Sequence, residues 1–225
     1  MILKIIFSFA ASIIKYFLIF FFIYSSALAE KNLNYYSSDH GVLSIMYHRF
    51  NENKYPSTNI KIDVFKKQLQ LIEQNNIEYY NPSKFDNEFN DPKTNKKVLI
   101  TIDDAFSSFY ENAWPILRKR KIPFILFVST EPVGKFGYMN WEQIKEVASH
   151  DFAYIGNHSH THEYLLDFSH DEFEKDIQKS IKIFNEKLGY NPIFFSYPFG
   201  EYKLEQKNYI KNNFQLSFGQ HSGVI

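Results

Sequence analysis

The sequence predicts an α/β domain on a parallel sheet, and three features point that way. Six short apolar runs, at 42–47, 98–102, 124–129, 152–156, 193–197 and 214–218, have the length and content of buried strands. Amphipathic stretches separate them, with no internal repeat and no low-complexity linker. At 225 residues the chain is long enough for one ordinary core and too short for two large ones. Alternating strand and helix units of this length give parallel strands with crossover helices, as an open doubly wound sheet or as a barrel-like closure. Both place ligands at the C-terminal ends of the strands.

Taken in order, the chain opens on Lys4, an apolar run at 5–14 and a second at 17–24, which leads into Ser-Ser-Ala27-Leu28-Ala29-Glu30. That is the layout of a signal peptide with a small-x-small cleavage site after Ala29. An uncleaved anchor also fits, because residues 5–26 cover the roughly 20 positions a bilayer needs, with Lys15 as the single penalty. Either way, 1–29 is expected to stand apart from one domain at 30–225. That domain is placed outside the cytoplasmic membrane (periplasmic, cell surface or secreted), and the N-terminal segment contacts the membrane at least during export. Further on, Ile62, Phe65, Leu69 and Ile72 fall at helical spacing, as do Phe173, Ile177, Ile181 and Phe184. Ser169 with Glu172 forms a capping-box pattern before the second of these helices, and Leu188-Gly189 supplies its stop.

Composition removes several functions. Lys plus Arg and Asp plus Glu both number 25, so no excess of positive charge is available for a nucleic acid. With no cysteine there is no disulfide and no thiolate ligand, and any metal must be held by histidine and carboxylate. The 24 Phe and 16 Tyr are mostly expected in the core, though such rings also serve as platforms in sugar clefts.

Three strand ends carry polar chemistry. The run at 98–102 is followed by Asp103 and Asp104, where one carboxylate could ligate a cation and its neighbour act as a base. Alternatively the pair caps a helix whose first turn is 106–110. The run at 152–156 leads into Asn157-His158-Ser159-His160-Thr161-His162. On a helical turn His158 and His162 would project from one face. Chance supplies about 0.3 such pairs in a chain with 8 His in 225 residues, so three His within five residues after a strand weigh more than a lone pair. Two imidazoles and one carboxylate leave a coordination position for water, the mark of a catalytic site. The third run ends in Tyr197-Pro198-Phe199-Gly200, a stiff turn able to aim a backbone N–H at an oxyanion, or simply a strand-to-loop turn.

These residues carry a family resemblance. Thr101-Ile102-Asp103-Asp104-Ala105 resembles the Thr-Phe-Asp-Asp-Gly motif of the NodB-like polysaccharide deacetylases, carbohydrate esterase family four. His158-Ser159-x-x-His162 resembles their His-Ser/Thr-x-x-His motif, and Tyr197-Pro198-Phe199-Gly200 their third motif. Tyr138-Met139-Asn140-Trp141, with 142–147 after it, is similar to the segment that precedes the histidine motif in exported members. Met46-Tyr47-His48-Arg49 resembles the opening strand of the branch that deacetylates secreted poly-N-acetylglucosamine. The resemblance covers roughly 41–225.

It implies a distorted, incomplete (β/α) barrel and a hydrolase that removes N-acetyl groups from an extracytoplasmic N-acetylhexosamine polysaccharide. Asp104, His158 and His162 would hold one divalent ion, with zinc first in order and cobalt, nickel or iron as alternatives. Asp103 would be the general base, Ser159 would brace the histidine loop, and the Phe199 N–H would bind the oxyanion. Three departures stand out. Ser196 occupies the place of an arginine that orients the base, and Ala105 replaces a glycine. The family's later histidine, which protonates the leaving amine, is not found before Ile225, so the barrel is expected to be truncated at its C-terminus. Only His221 lies in the right region. His48, Tyr47, Trp141 and Tyr202 are candidate substrate contacts, with His48 equally a structural histidine and the aromatics equally core. The alternatives are a carbohydrate-binding pseudoenzyme of the same fold, or a deacetylase of O-acetylated glycan or peptidoglycan.

Overall fold

The computed structural model describes residues 41–85 and 96–220, all within a unit that runs from His40 to Ile225. The expected leader or anchor at 1–29, the expected C-terminal truncation and His221 lie outside the described residues.

Every expected strand forms. The strands are β1 (Val42–Tyr47), β2 (Arg49–Phe50), β3 (Asn59–Ile60), β4 (Glu78–Tyr79), β5 (Lys97–Ile102), β6 (Phe124–Val128), β7 (Ala153–Asn157), β8 (Phe194–Ser196) and β9 (Leu216–Phe218). All their pairings are parallel, in the order β1-β5-β6-β7-β8-β9, with β4 also on β5 and a separate β2-β3 pair. β1 runs beside β5 over its full length, from Val42 opposite Lys97 to Tyr47 opposite Ile102. β4 and β6 therefore share the other edge of β5, β4 at Lys97 and Val98 and β6 from Ile100 onward. The last strands are shorter than the apolar runs because Phe214 ends a helix and Pro198 cannot continue a ladder.

The helices are α1 (Ile62–Gln74), α2 (Trp114–Arg120), α3 (Trp141–Ala148), α4 (His170–Leu188) and α5 (Leu204–Asn213). α4 begins at the expected Ser169 and Glu172 capping box and ends at Gly189 in the left-handed region. α3 has a capping box of its own, Asn140 with Gln143. The helix expected with its first turn at 106–110 begins at Ser107 and passes through a π-helical turn at Phe109–Ala113 into α2. α5 buries only Gln206 and Ile210, so no apolar stripe announces it.

Alternation along the strands gives the sheet two buried faces, and a third cluster joins Phe173 and Ile177 of α4, Phe195 of β8 and Ile210 of α5. Val98, Ile100 and Ile102 of β5 join Phe124, Leu126 and Val128 of β6, and this face is covered by Phe65 and Leu69 of α1, Trp114 and Leu117 of α2, Ile144 and Val147 of α3 and Phe184 of α4. Leu99, Ile125 and Phe127 face the other way and pack with Val42 of β1 and Phe194 of β8, with Phe218 of β9 against them. The Phe127 and Phe218 ring centroids are 5.3 Å apart. Side chains from both ends of the sheet meet in one cluster only if the sheet curls, which makes it a parallel half-barrel of the kind the resemblance implies. The strands buried on both faces read as continuous apolar runs for the same reason.

Candidate metal and catalytic site

Because the strands are parallel, β1, β5, β6, β7 and β8 deliver their following residues to one rim. The Asp103 N–H donates to the Tyr47 carbonyl at 2.8 Å, carrying the ladder one residue past β5. Asp104 and Ala105 then turn left-handed, with φ of 71° and 52°. Both carboxylates end beside one ring: His158 Nε2 lies 3.9 Å from Asp103 Oδ2 and 3.5 Å from Asp104 Oδ1. Helix capping is thereby excluded as the role of the pair.

The histidine segment does not form the helical turn expected from its spacing; 158–162 is a loop. Ser159 and His162 sit at φ of 70° and 60°, and these two reversals, not a helical face, bring the rings together at 5.0 Å between centroids. Side chains hold the loop. Asn157 Oδ1 accepts the Ser159 N–H at 2.8 Å, Ser159 Oγ accepts the His162 N–H at 3.1 Å, and the Ser129 hydroxyl donates to the His158 carbonyl at 2.6 Å. Ser159 thus bonds to both sides of the loop, through its N–H to Asn157 and its Oγ to His162. Gly156 is required by packing, since a Cβ there would stand 2.2 Å from the Phe127 ring, which lies near His158. Asp104, Ala105, Ser159, His162 and Phe199 all have positive φ. Each such non-glycine residue costs on the order of 1–2 kcal/mol, and five together approach the net stability of a domain, about 5–15 kcal/mol. The site is held by its surroundings against local preference.

The ligand atoms of Asp104, His158 and His162 lie within 4.8 Å of one another, with Asp104 Oδ1 at 2.8 Å from His162 Nε2. Ser196 contributes twice. Its carbonyl accepts from His158 Nδ1 at 2.7 Å, so that nitrogen carries the proton and Nε2 presents a bare lone pair. Its hydroxyl donates to Asp103 Oδ2 at 3.2 Å, at the position where the resemblance implies an arginine. Among the described residues, buried His158 Nε2 and Asp103 Oδ1 find no hydrogen-bond partner, and Asp104 Oδ1 has only the ring of His162 beside it. Orphaned buried acceptors are expensive, and a divalent cation between two imidazoles and a carboxylate would satisfy His158 Nε2 and Asp104 Oδ1. The donor set therefore fits such an ion.

Electrostatics separate the two aspartates. Burial, and then the charge of Asp104, push Asp103 up to about 8. Burial acts the same way on Asp104, but the His162 contact and the charges of His158, His162 and His48 outweigh it and bring the pKa down to about 2. Burial lowers His158 to about 4 despite Asp104. Burial also opposes charge on His162, yet the Asp104 contact raises its pKa. Burial lowers the pKa of His48, the histidine after β1, against the opposing charge of Asp104.

The other expected residues divide. The Phe199 ring is half exposed and lies 5.1 Å from the His162 ring, so its backbone is on the rim. Tyr202 is partly exposed behind it, 4.4 Å from the Tyr197 ring. Tyr47 is not on the rim: it is buried with Phe50 and Phe65, and its hydroxyl donates to Gln68 at 2.8 Å. Trp141 starts α3, is partly buried, and packs edge-on against Phe184 of α4 at the margin of the core. Two residues that the motifs do not single out, Asp176 and Ser180, also serve the site. Ser180 accepts from Asn157 at 2.7 Å, and Asp176 binds the loop backbone. Both lie on the apolar stripe of α4 beside Phe173, Ile177 and Phe184, and a carboxylate interrupting that stripe is the signal that could have found them.

Comparison with known proteins agrees with this geometry. IcaB from Ammonifex degensii superposes with a TM-score of 0.74 at 26% identity, over 82% of this chain and 86% of that one. The Streptococcus pyogenes deacetylase PplD, solved in complex with acetate, shares the fold with a TM-score of 0.72 at 23% identity, over 82% and 85% of the two chains. The poly-beta-1,6-N-acetyl-D-glucosamine N-deacetylase of Staphylococcus epidermidis is 28% identical over 176 residues, 68% of this chain and 59% of that protein. The chain spans less than two thirds of the length of the curated relatives it matches. The profile of the polysaccharide deacetylase family matches residues 90–215, which hold Asp103, Asp104, His158, His162 and Phe199, and the chain belongs to that family.

Proposed function

We propose that this protein is a metal-dependent hydrolase that removes N-acetyl groups from an N-acetylhexosamine polysaccharide outside the cytoplasmic membrane. The observation that carries the reading is the convergence of Asp104, His158 and His162 within 4.8 Å, with the Asp103 carboxylate beside them. Asp104, His158 and His162 would hold the ion, zinc by preference and cobalt, nickel or iron as alternatives, since a site of two His and one Asp takes several. When bound, a divalent cation lowers the pKa of a coordinated water toward about 7 and polarises a carbonyl oxygen.

The chain supplies the rest. Asp103, oriented by Ser196, accepts the proton of the water that attacks the acetyl carbon. The Phe199 N–H donates to the carbonyl oxygen as negative charge develops there, a contribution of about 3 kcal/mol for one such donor. The carbon–nitrogen bond breaks as the proton that Asp103 took from the water passes to the leaving amine. Acetate and a free amino sugar result. The polymer is a poly-N-acetylglucosamine, in line with the S. epidermidis relative. The half-exposed Phe199 and partly exposed Tyr202 offer sugar platforms beside the histidines.

The test is acetate release from an N-acetylglucosamine oligomer by the purified protein loaded with zinc, cobalt or nickel. Release that needs the metal is expected. Oligomer binding without acetate under any metal would replace the enzyme with a carbohydrate-binding pseudoenzyme. Release only from O-acetylated glycan would replace the substrate.

A further inference from the structure

α4 lies outside the rim, yet it grips the loop that carries both histidine ligands. Asp176 is buried within this helix, among Phe173, Ile177 and Phe184. Its two oxygens accept three hydrogen bonds: from the His160 N–H at 2.7 Å, from the Thr161 N–H at 3.0 Å and from the Thr161 hydroxyl at 2.8 Å. Among the described residues Asp176 forms no ion pair, so its compensation for burial comes from two consecutive residues of one loop. A carboxylate is acceptor-only and can serve all three donors; an amide would turn an NH2 toward one of them. Charge also makes the bonds stronger than neutral ones.

Those two residues lie between the ligands. Ser159 and His162, on either side of them, are in the left-handed region that local preference opposes. Between the two reversals the segment after β6 holds His160 as well, with the Glu131 N–H donating to its carbonyl at 2.9 Å and Thr130 Oγ1 at 2.7 Å from its Nδ1, but among the described residues Asp176 alone accepts from Thr161 and joins it to His160. We infer that Asp176 is a positioning residue for the metal centre. By anchoring His160 and Thr161 it sets the separation and tilt of the His158 and His162 rings, and thereby the affinity of the site for its ion. The inference rests on the metal-centre reading above.

The test uses the full chain, cobalt as the probe and visible absorption as the readout, with Asp176→Asn compared against Ile177→Val, a core change on the same helix that leaves the loop bonds intact. Asp176→Asn is expected to weaken cobalt affinity about 10–100-fold, the usual effect of losing a group that orients metal ligands. It should also change the cobalt spectrum, and turnover should recover in large part at saturating metal. Ile177→Val is expected to lower the melting temperature while leaving affinity within about twofold of the parent. Affinity of Asp176→Asn within twofold of the parent, or affinities of both variants falling in step with their melting temperatures, would overturn the assignment. If Asp176→Asn does not fold, Thr161→Val removes only the hydroxyl bond; a drop of about threefold supports the role and an unchanged affinity refutes it. Failure of the parent chain to bind cobalt would instead remove the metal-centre reading, and this inference with it.

Discussion

The half-barrel and the rim above it obey opposite rules. Inside the sheet, Val98 to Ile102 and Phe124 to Val128 are buried residues in extended conformation, nearly all apolar and packed on both faces. One residue beyond β5 the chain places two carboxylates in near-complete burial, and one residue beyond β7 an imidazole at zero exposure. The interior lowers the free energy of the fold through burial. The rim raises it, through left-handed residues, orphaned acceptors and a carboxylate held at about 8 by burial and the charge of its neighbour. Concentrated strain and unmet polarity mark the region selected for chemistry.

Substitutions should therefore separate the two regions. The largest effect is expected from Asp104→Ala or His162→Ala: metal content by elemental analysis falls to background and acetate release stops, while circular dichroism stays native. Leu126→Ala should do the reverse, costing about 2–5 kcal/mol of stability in denaturant titration without removing any ligand. Next, Asp103→Asn should keep the metal and lower turnover by about 10²–10⁴-fold. A fully active Asp103→Asn protein would refute its role as base. In the metal-free protein the same change acts on stability. A carboxyl raised to about 8 from 3.8 contributes stability that is whole below 3.8 and is lost as pH rises toward 8. Asp103→Asn should thus raise the melting temperature most above pH 8.

His48→Ala is expected to retain the metal and to raise KM more than it lowers kcat, as for loss of a substrate contact. Unchanged KM would leave His48 a structural histidine. The metal-free protein should also weaken in acid. His158, lowered to about 4 from 6.5, contributes stability that is present above 6.5 and is lost as pH falls through 4, an effect visible in melting temperatures between those limits. Smallest of all is Ala105→Gly. Removing the Cβ relieves a left-handed residue at φ 52° but opens a small space in a buried position, for a net change within about 1 kcal/mol.

The same contrast explains what the sequence makes legible. The strands are readable because burial on both faces writes uninterrupted apolar runs. α1 and α4 are readable because each presents one stripe to the core, whereas α5 buries only two side chains and presents none. At the rim, residue types are legible and geometry is not. Composition and spacing find His158 and His162, yet the helical turn invoked to join them is absent, because the reversals at Ser159 and His162 are stabilised by distant partners that no local pattern shows. Ser196 is the clearest case. As a missing arginine it leaves the base without an orienting group, and only the curl of the sheet reveals that its hydroxyl and carbonyl serve Asp103 and His158 together. Tyr47 reads as a rim aromatic by position and is core by packing, whereas Trp141 is partly buried at the margin of the core.

The most direct test is X-ray absorption at the zinc edge on the zinc-loaded full chain, beside its His158→Ala and His162→Ala variants. The expected spectrum has two imidazole nitrogens at about 2.0–2.1 Å and at least one oxygen, with one imidazole contribution lost or all zinc released in each variant. A bound zinc with no histidine nitrogen, or a spectrum unchanged by both substitutions, would contradict the convergence of Asp104, His158 and His162 on one ion.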